Sequence, residues 1–168
     1  MKKLLILIPI IIGSIGCSLN NTPTSKVEEL MAKYQSLDND IKDEIEDVLS
    51  DENLTLEQKN EYRDLLETQY KNMTYEIKEE VIDGDEAQVT VAIEVVDYKK
   101  AIDEVENEYT NIDNYTIEEY NHAKINKLKA AKEKVTYTLD IDVIKNNEGE
   151  WGVASLTNVD KKKIQGMY

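Results

Sequence analysis

Residues 73–96, MTYEIKEEVIDGDEAQVTVAIEVV, decide the fold. Apolar and polar residues alternate on both sides of Asp83-Gly84, and this is the period of a half-buried β-strand. An Asp-Gly step between two such runs is a strong signal for a β-hairpin. The predicted inward residues are Met73, Tyr75, Ile77 and Val81 on the first strand, and Ala87, Val89, Val91, Ile93 and Val95 on the second. The chain therefore contains antiparallel sheet.

A second pair of strands is predicted near the C-terminus. Residues 135–143 alternate in the same way, with Thr136, Thr138, Asp140 and Asp142 on the polar face. The turn 146–149 leads into a shorter apolar run at 151–156. The two hairpins together predict four antiparallel strands.

Helical spacing replaces this alternation in the rest of the chain. Residues 26–70 predict three amphipathic helices, two of which begin at capping boxes, Ser25–Glu28 and Thr55–Gln58. Leu56 is predicted on the apolar face of the third helix. Two more helices are predicted between strands 2 and 3, at 98–110 and from the capping box at Thr116 onward. The predicted class is α+β, with N-terminal helices packed on a curved four-stranded antiparallel sheet.

The N-terminus indicates where the protein resides. Lys2 and Lys3 precede an apolar run over 4–12 that is too short to cross a bilayer, and small residues lead up to Cys17, the single cysteine. This pattern resembles a bacterial lipoprotein signal. It predicts a signal peptide at 1–16, lipidation of Cys17, a tether at 17–25 and one domain at 26–168. The alternatives are a plain secretory signal and a retained membrane helix.

The charge of the chain excludes some partners. The net charge is −15, and removal of residues 1–16 takes away two lysines and no acid, which brings it to −17. A surface this acidic does not neutralise phosphates, so nucleic acid is excluded as a partner. Diacylglycerol and acyl chains on Cys17, rather than protein charge, would attach the domain to the extracytoplasmic side of the cell membrane. No internal disulfide can form.

The order of these segments resembles a known family. The stretches that carry the resemblance are Lys26–Tyr34, Tyr75–Asp97, Leu128–Leu139, Trp151–Leu156 and Ile164–Tyr168. They are similar to small lipoproteins of low-GC Gram-positive bacteria that have an NTF2-like (cystatin-like) domain. The resemblance implies a cone-shaped pocket between the concave sheet face and the N-terminal helices. The helical pair inserted between strands 2 and 3 departs from many members of that fold and could cap or fill this pocket.

Few residues are candidates for catalysis or metal binding. His122 is the only histidine and is expected on an exposed helix surface, so it lacks a partner for acid–base work, and a histidine-based zinc site is excluded. Asp140 and Asp142 share one strand face. The isomerases of the resembled fold use an Asp with a Tyr, but a solvated face is the simpler interpretation. We predict no catalytic residue, no metal and no cofactor.

Aromatic residues are the remaining candidates for a binding site. The chain has ten tyrosines and no phenylalanine, so tyrosine must do most of the aromatic packing. Tyr75, Tyr137 and Trp151 are the predicted ligand-contacting residues. The leading hypothesis is a lipid-anchored envelope protein that binds a small ligand or a partner without catalysis. The alternatives are an isomerase- or dehydratase-like enzyme with an Asp/Tyr pocket, and a structural envelope protein whose acidic surface meets cationic polymers or peptides.

Overall fold

The computed structural model describes residues 21–168. This part of the chain forms six helices and four strands. The helices are α1 (Pro23–Ser36), α2 (Asn39–Asp51), α3 (Leu56–Asn72), α4 (Tyr98–Thr110), α5 (Ile117–Ala130) and α6 (Asn158–Ile164). The strands are β1 (Thr74–Asp83), β2 (Glu86–Val96), β3 (Lys134–Lys145) and β4 (Trp151–Val153).

The four strands make one open antiparallel sheet in the order β1-β2-β3-β4. The prediction of helices with a four-stranded antiparallel sheet is therefore confirmed. Strands β2 and β3 are neighbours although α4 and α5 separate them in the chain. The sheet does not close, so β1 and β4 form its two edges.

One face of the sheet is covered and the other faces solvent. Helix α1 crosses the covered face and contacts all four strands. The core between them is closed by side chains that are at most 1% exposed, namely Val27, Met31, Tyr34, Tyr70, Val89, Val91, Ile93, Leu139 and Val143. Aromatic and aliphatic side chains from both layers thus fill the space between α1 and the centre of the sheet.

The inserted helices pack beside the N-terminal helices. Helices α3 and α5 lie against one another with their first turns at the same end. Buried polar side chains of α5 also hold the segment that precedes α3, because Asn121 Nδ2 donates to the Asn53 carbonyl over 2.7 Å and Lys124 Nζ lies 3.0 Å from Glu52 Oε2. Such contacts are long-range in sequence, so no local pattern predicts them.

Gln69 of α3 and the C-terminal residues 165–166 pack against the end of β2. Gln69 Nε2 donates to the carbonyls of Val96 at 2.8 Å and Gln165 at 3.1 Å, and Gln69 Oε1 accepts from Val96 N–H at 3.0 Å. Gly166 has a φ of +74°, and a Cβ there would lie 2.1 Å from the Val96 carbonyl oxygen. Only glycine fits this approach.

Several element boundaries and facings differ from the predictions. Helix α1 begins at Pro23 and is capped by Thr22, because Ser25 completes the capping box from inside the helix instead of starting it. Residues 23–25 are thus folded and are not part of the predicted tether. The predicted signal peptide and Cys17 lie outside the described residues.

Two apolar residues face solvent against expectation. A bulge between Ile77 and Glu79 shifts the alternation of β1 by one residue, so Val81 is 48% exposed. Leu56 is the first residue of α3, before the helix meets its neighbours, and is 78% exposed.

The C-terminal region also departs from the prediction. Strand β4 has three residues and ends before the predicted 156. Helix α6 was not predicted, although Thr157 and Asp160 form a capping box at its start.

Candidate functional site

A groove lies between helix α1 and the edge strand β4. One face of α1 forms its first wall through Lys26, Glu29, Leu30, Lys33 and Tyr34. Residues 151–156 form the opposite wall, and the start of α2 and Lys161 close the ends. The groove has a volume of about 490 Å³, within the range of small-ligand sites. We call it the α1–β4 groove.

Aromatic side chains form the base of this groove. Trp151 is 7% exposed, and Lys145 Nζ lies 4.6 Å from the centre of its ring, a cation–π geometry. Tyr34 is 1% exposed, and its hydroxyl donates to Glu44 Oε1 over 3.1 Å. Burial, followed by the nearby Glu44 charge, raises the pKa of Tyr34 well above its usual value. Tyr34 therefore stays a neutral hydrogen-bond donor and cannot serve as a base.

Charges of both signs line the rim in equal number. Lys161 Nζ lies 2.8 Å from Glu44 Oε2, and Lys26 Nζ lies 3.3 Å from Glu29 Oε2. Lys33 Nζ lies 3.7 Å from Asp40 Oδ2. Three lysines thus face three carboxylates, so the rim has no net charge although the chain as a whole is strongly acidic. The groove suits an occupant that is itself close to neutral.

Part of the β4 backbone directs its hydrogen-bonding groups away from β3. The residues that face β3 with their hydrogen-bonding groups are Glu150, Gly152 and Ala154. Asn146 N–H donates to the Glu150 carbonyl, Ala154 N–H donates to the Asp142 carbonyl, and Gly152 lies opposite Ile144 between these two pairs. Trp151 and Val153 alternate with these residues, so their N–H and C=O groups point away from β3. This is the free edge of the sheet.

Asn21 covers one end of this edge. Its Nδ2 donates to the Gly149 carbonyl over 3.0 Å, and its Oδ1 accepts from Trp151 N–H over 2.8 Å. The N–H and C=O of Val153 have no hydrogen-bond partner among residues 21–168. An unpaired donor and acceptor at the strand spacing form a short template for another strand.

The three predicted ligand-contacting residues do not share one site. Tyr75 and Tyr137 lie opposite Ile93 from either side, so they stand roughly 10 Å apart across the sheet. Tyr137 donates through its hydroxyl to the Tyr168 carbonyl over 2.7 Å. Trp151 pairs with Lys145 near the other end of β3, roughly 27 Å from Tyr137. Of the three, Trp151 alone lines the α1–β4 groove.

The candidates for acid–base chemistry lie outside that groove. Asp140 is on the open sheet face, where its Oδ1 accepts from the Thr90 hydroxyl over 2.7 Å, and Asp142 accepts from Gln88 beside it. His122 is exposed on α5 with Asn126 Nδ2 at 3.2 Å from its Nδ1. No Tyr–Asp pair in a cavity is formed by these residues. Within residues 21–168, no three His, Cys, Asp or Glu side chains are grouped so that they could hold a metal.

The sequence-based reasoning missed the polar groups that define the groove. Val153 and Asn21 have ordinary side chains, and their role follows from the position of β4 at the sheet edge. Only Trp151, at the bottom of the groove, could be singled out from the sequence, because it is the single tryptophan of the chain. Among residues 21–168, none of the helices is both long and apolar enough to span a bilayer.

Comparison with known proteins gives little further guidance. No family model matches the chain, and no curated protein is significantly similar to it. A solved structure with a similar arrangement is that of ycdA from Bacillus subtilis, a protein provisionally described as a lipoprotein, at 19% identity and a TM-score of 0.44. The match covers 76% of this chain and 45% of that protein. At these values the similarity supports no assignment of family or function.

Proposed function

We propose that this chain is a lipid-anchored protein of the cell envelope that binds an extended peptide in the α1–β4 groove and performs no catalysis. The anchor is Cys17, which follows a short charged and apolar leader. The domain would face the extracytoplasmic side and belong to the NTF2-like class. Its occupant would be a peptide segment of an envelope protein.

The N–H and C=O of Val153, which have no hydrogen-bond partner among residues 21–168, are the observation that carries this proposal. A peptide that runs beside β4 can exchange both hydrogen bonds with Val153, as an added strand does in other peptide-binding domains. Alternate side chains of such a peptide would then lie over Leu30 and Trp151 in the groove. The balanced rim charges favour a peptide without a large net charge.

The enzyme alternative has weaker support. An isomerase-like site needs a carboxylate inside a cavity with a tyrosine as partner. Asp140 and Asp142 instead face solvent with Thr90 and Gln88, and Tyr34 in the groove is held protonated. No specific contact favours that function over peptide binding.

The binding part of the proposal can be tested with a random peptide library displayed on phage. The target is the chain without residues 1–17, which retains every residue of the described fold. We expect selected peptides to slow hydrogen exchange at Val153 N–H and to perturb the signals of Leu30 and Trp151. Selection of peptides that protect other amides and leave Val153 unchanged would contradict the proposal.

The anchor is tested separately with Cys17→Ala in the full chain. We expect the wild-type protein to incorporate labelled fatty acid and to partition into detergent, and the variant to do neither. Fatty-acid label on Cys17→Ala would show that the lipoprotein interpretation is wrong. Cys17→Ala changes no residue of the groove, so the two parts of the proposal fail independently.

A further inference from the structure

A second surface, at the first turns of α3 and α5, exposes a group of large apolar side chains. Its members are Leu56, Ile112, Tyr115 and Ile117, which are 78%, 44%, 48% and 55% exposed. We call this group the apolar tip. It holds four of the nine large hydrophobic residues that are exposed within residues 21–168. Apolar side chains that are scattered singly need no explanation, but a group of four in one region points to an interaction surface.

The apolar tip is built on an ordered frame. Leu56 and Ile117 are the first residues of α3 and α5. The N-cap residues of these helices, Thr55 and Thr116, line a small groove between the two first turns. Gln58 Nε2 donates across this groove to the Glu118 carbonyl over 3.3 Å. The tip therefore presents its side chains in a fixed arrangement, which lowers the entropic cost of binding.

Three tyrosines fix the loop that carries the other two members. The ring of Tyr109 meets those of Tyr115 and Tyr120 edge to face, at centroid distances of 4.9 and 5.4 Å. The Tyr109 hydroxyl also donates to the Glu119 carbonyl over 3.2 Å. These contacts hold the loop 111–116 against α5, and Ile112 still points its apolar surface to solvent.

The surroundings of the apolar tip are mainly acidic. Residues 52–59 and 111–124 contain five carboxylates, those of Glu52, Glu57, Asp113, Glu118 and Glu119, and two lysines, Lys59 and Lys124. Glu52 pairs with the buried Lys124, and Glu119 accepts from Thr116 N–H over 2.8 Å. The carboxylates of Glu57, Asp113 and Glu118 make no ion pair with any residue of the described chain.

We propose that the apolar tip docks a cationic amphipathic segment of a partner protein. Its apolar side chains would cover Leu56 and Ile117, and its lysines or arginines would meet Glu57, Asp113 and Glu118. This charge complementarity selects the occupant. A second copy of the chain would bring two acidic rims together, and an anionic lipid surface would be repelled in the same way. The tip shares no residue with the α1–β4 groove, so the proposal does not depend on the peptide site.

The test uses a defined probe, an amphipathic helical peptide of leucine and lysine, titrated by calorimetry into the chain without residues 1–17. The tip variants are the double substitutions Leu56→Ser with Ile117→Ser, and Glu57→Gln with Glu118→Gln. Two control variants make equivalent substitutions outside the tip. Val81→Ser with Ile144→Ser matches the apolar variant, and Glu148→Gln with Glu150→Gln matches the acidic one. All of these side chains are exposed, so the unfolding midpoint should change little and confirms the fold of each variant.

We expect each tip variant to bind the probe about tenfold or more weakly, and each control to bind it within about twofold of wild type. Control variants that lose as much affinity as the tip variants would overturn the proposal, because the probe would then bind by general charge attraction. Absence of binding by the wild-type chain would also overturn it. Self-association of the wild-type chain that Leu56→Ser with Ile117→Ser abolishes would assign the tip to a second copy instead.

Discussion

The two edges of the sheet are protected in different ways. Strand β1 has ten residues, and its edge carries the exposed charges of Glu76, Lys78 and Asp83 and a bulge after Ile77. Strand β4 has three residues, none of them charged. Asn21 covers one end of β4, and the N–H and C=O of Val153 have no partner within the described residues 21–168.

This difference indicates which edge is available to a partner. Charged side chains and bulges are the usual means by which a sheet avoids adding a further strand. Strand β1 uses both, although it is long enough to aggregate without them. Strand β4 uses neither at Val153, and a groove with an aromatic base runs beside it. Edge β1 is therefore the better protected of the two, whereas β4 is protected by its short length and by Asn21 at one end.

Alkaline pH should lower the stability of the buried core that lies between the two edges. Burial raises the pKa of Tyr34, Tyr62 and Tyr70 well above the usual value of about 10. Above pH 10 these tyrosines ionise in the unfolded state and stay protonated in the folded one, so stability is full below pH 10 and falls as pH rises. The expected loss is about 1.4 kcal/mol per pH unit for each tyrosine, and about 4 kcal/mol for the three together.

Denaturant unfolding at several pH values between 9 and 12 measures this slope. Tyr70→Phe should reduce the contribution of these three tyrosines to the slope of stability against pH by about a third, because one titrating group is lost. Tyr115→Phe is the control, since it removes the hydroxyl of an exposed tyrosine instead of a buried one. A slope that neither substitution changes would contradict the assignment.

Ile93→Ala should destabilise the centre of the sheet, to which both edge strands are connected. Ile93 is fully buried in β2, between Tyr75 on β1 and Tyr137 on β3. The substitution removes buried apolar surface and leaves a cavity, so we expect a loss of about 2–5 kcal/mol in the free energy of unfolding. A loss below about 1 kcal/mol would show that the inward facing of β2 is wrong.

Glu80→Ala should affect the β1 side alone. Glu80 Oε2 accepts from the Thr24 N–H at 2.9 Å and the Thr24 hydroxyl at 2.7 Å, which ties β1 to the first turn of α1. We expect a loss of about 0.5–2 kcal/mol, the scale of a helix-capping interaction. Glu76→Ala, which removes an exposed carboxylate of the same strand, should cost at most about 0.5 kcal/mol. Equal losses in the two variants would show that the Glu80 contact does not stabilise α1.

The open sheet face should give the smallest effect. Asp140 is exposed, and its contact with Thr90 lies in solvent. Asp140→Asn should therefore change the free energy of unfolding by no more than about 0.5 kcal/mol in thermal or chemical unfolding. A clear gain in stability would indicate a strained carboxylate, and the enzyme alternative would then regain support.

The sequence predicts those parts of the fold that depend on local patterns. The β1–β2 hairpin follows from its alternation and the Asp-Gly step, and the starts of α3 and α5 follow from capping boxes at Thr55 and Thr116. The facing of Val81 fails because a single bulge moves every later residue to the other face. The filled core could not be predicted, since it depends on how closely Met31 and Tyr70 approach the sheet.

The candidate site is less predictable than the fold. Trp151 was chosen as an aromatic residue, and it lines the groove, but its role in binding stays a prediction. Tyr75 and Tyr137 were chosen on the same ground and lie elsewhere, because sequence spacing does not reveal which side chains meet across strands. The free groups of Val153 depend on the strand order, which becomes known only when β4 is placed at an edge.

The affinity of a selected peptide for Val153→Pro and Val153→Ala tests the central claim most directly. Proline removes the outward N–H and obstructs the edge, but it leaves the bonds to β3 intact because Val153 donates none of them. We predict that Val153→Pro binds the peptide about tenfold or more weakly, that Val153→Ala binds within about twofold, and that both unfold near the wild-type midpoint. Equal affinity of the two folded variants would contradict strand addition at β4.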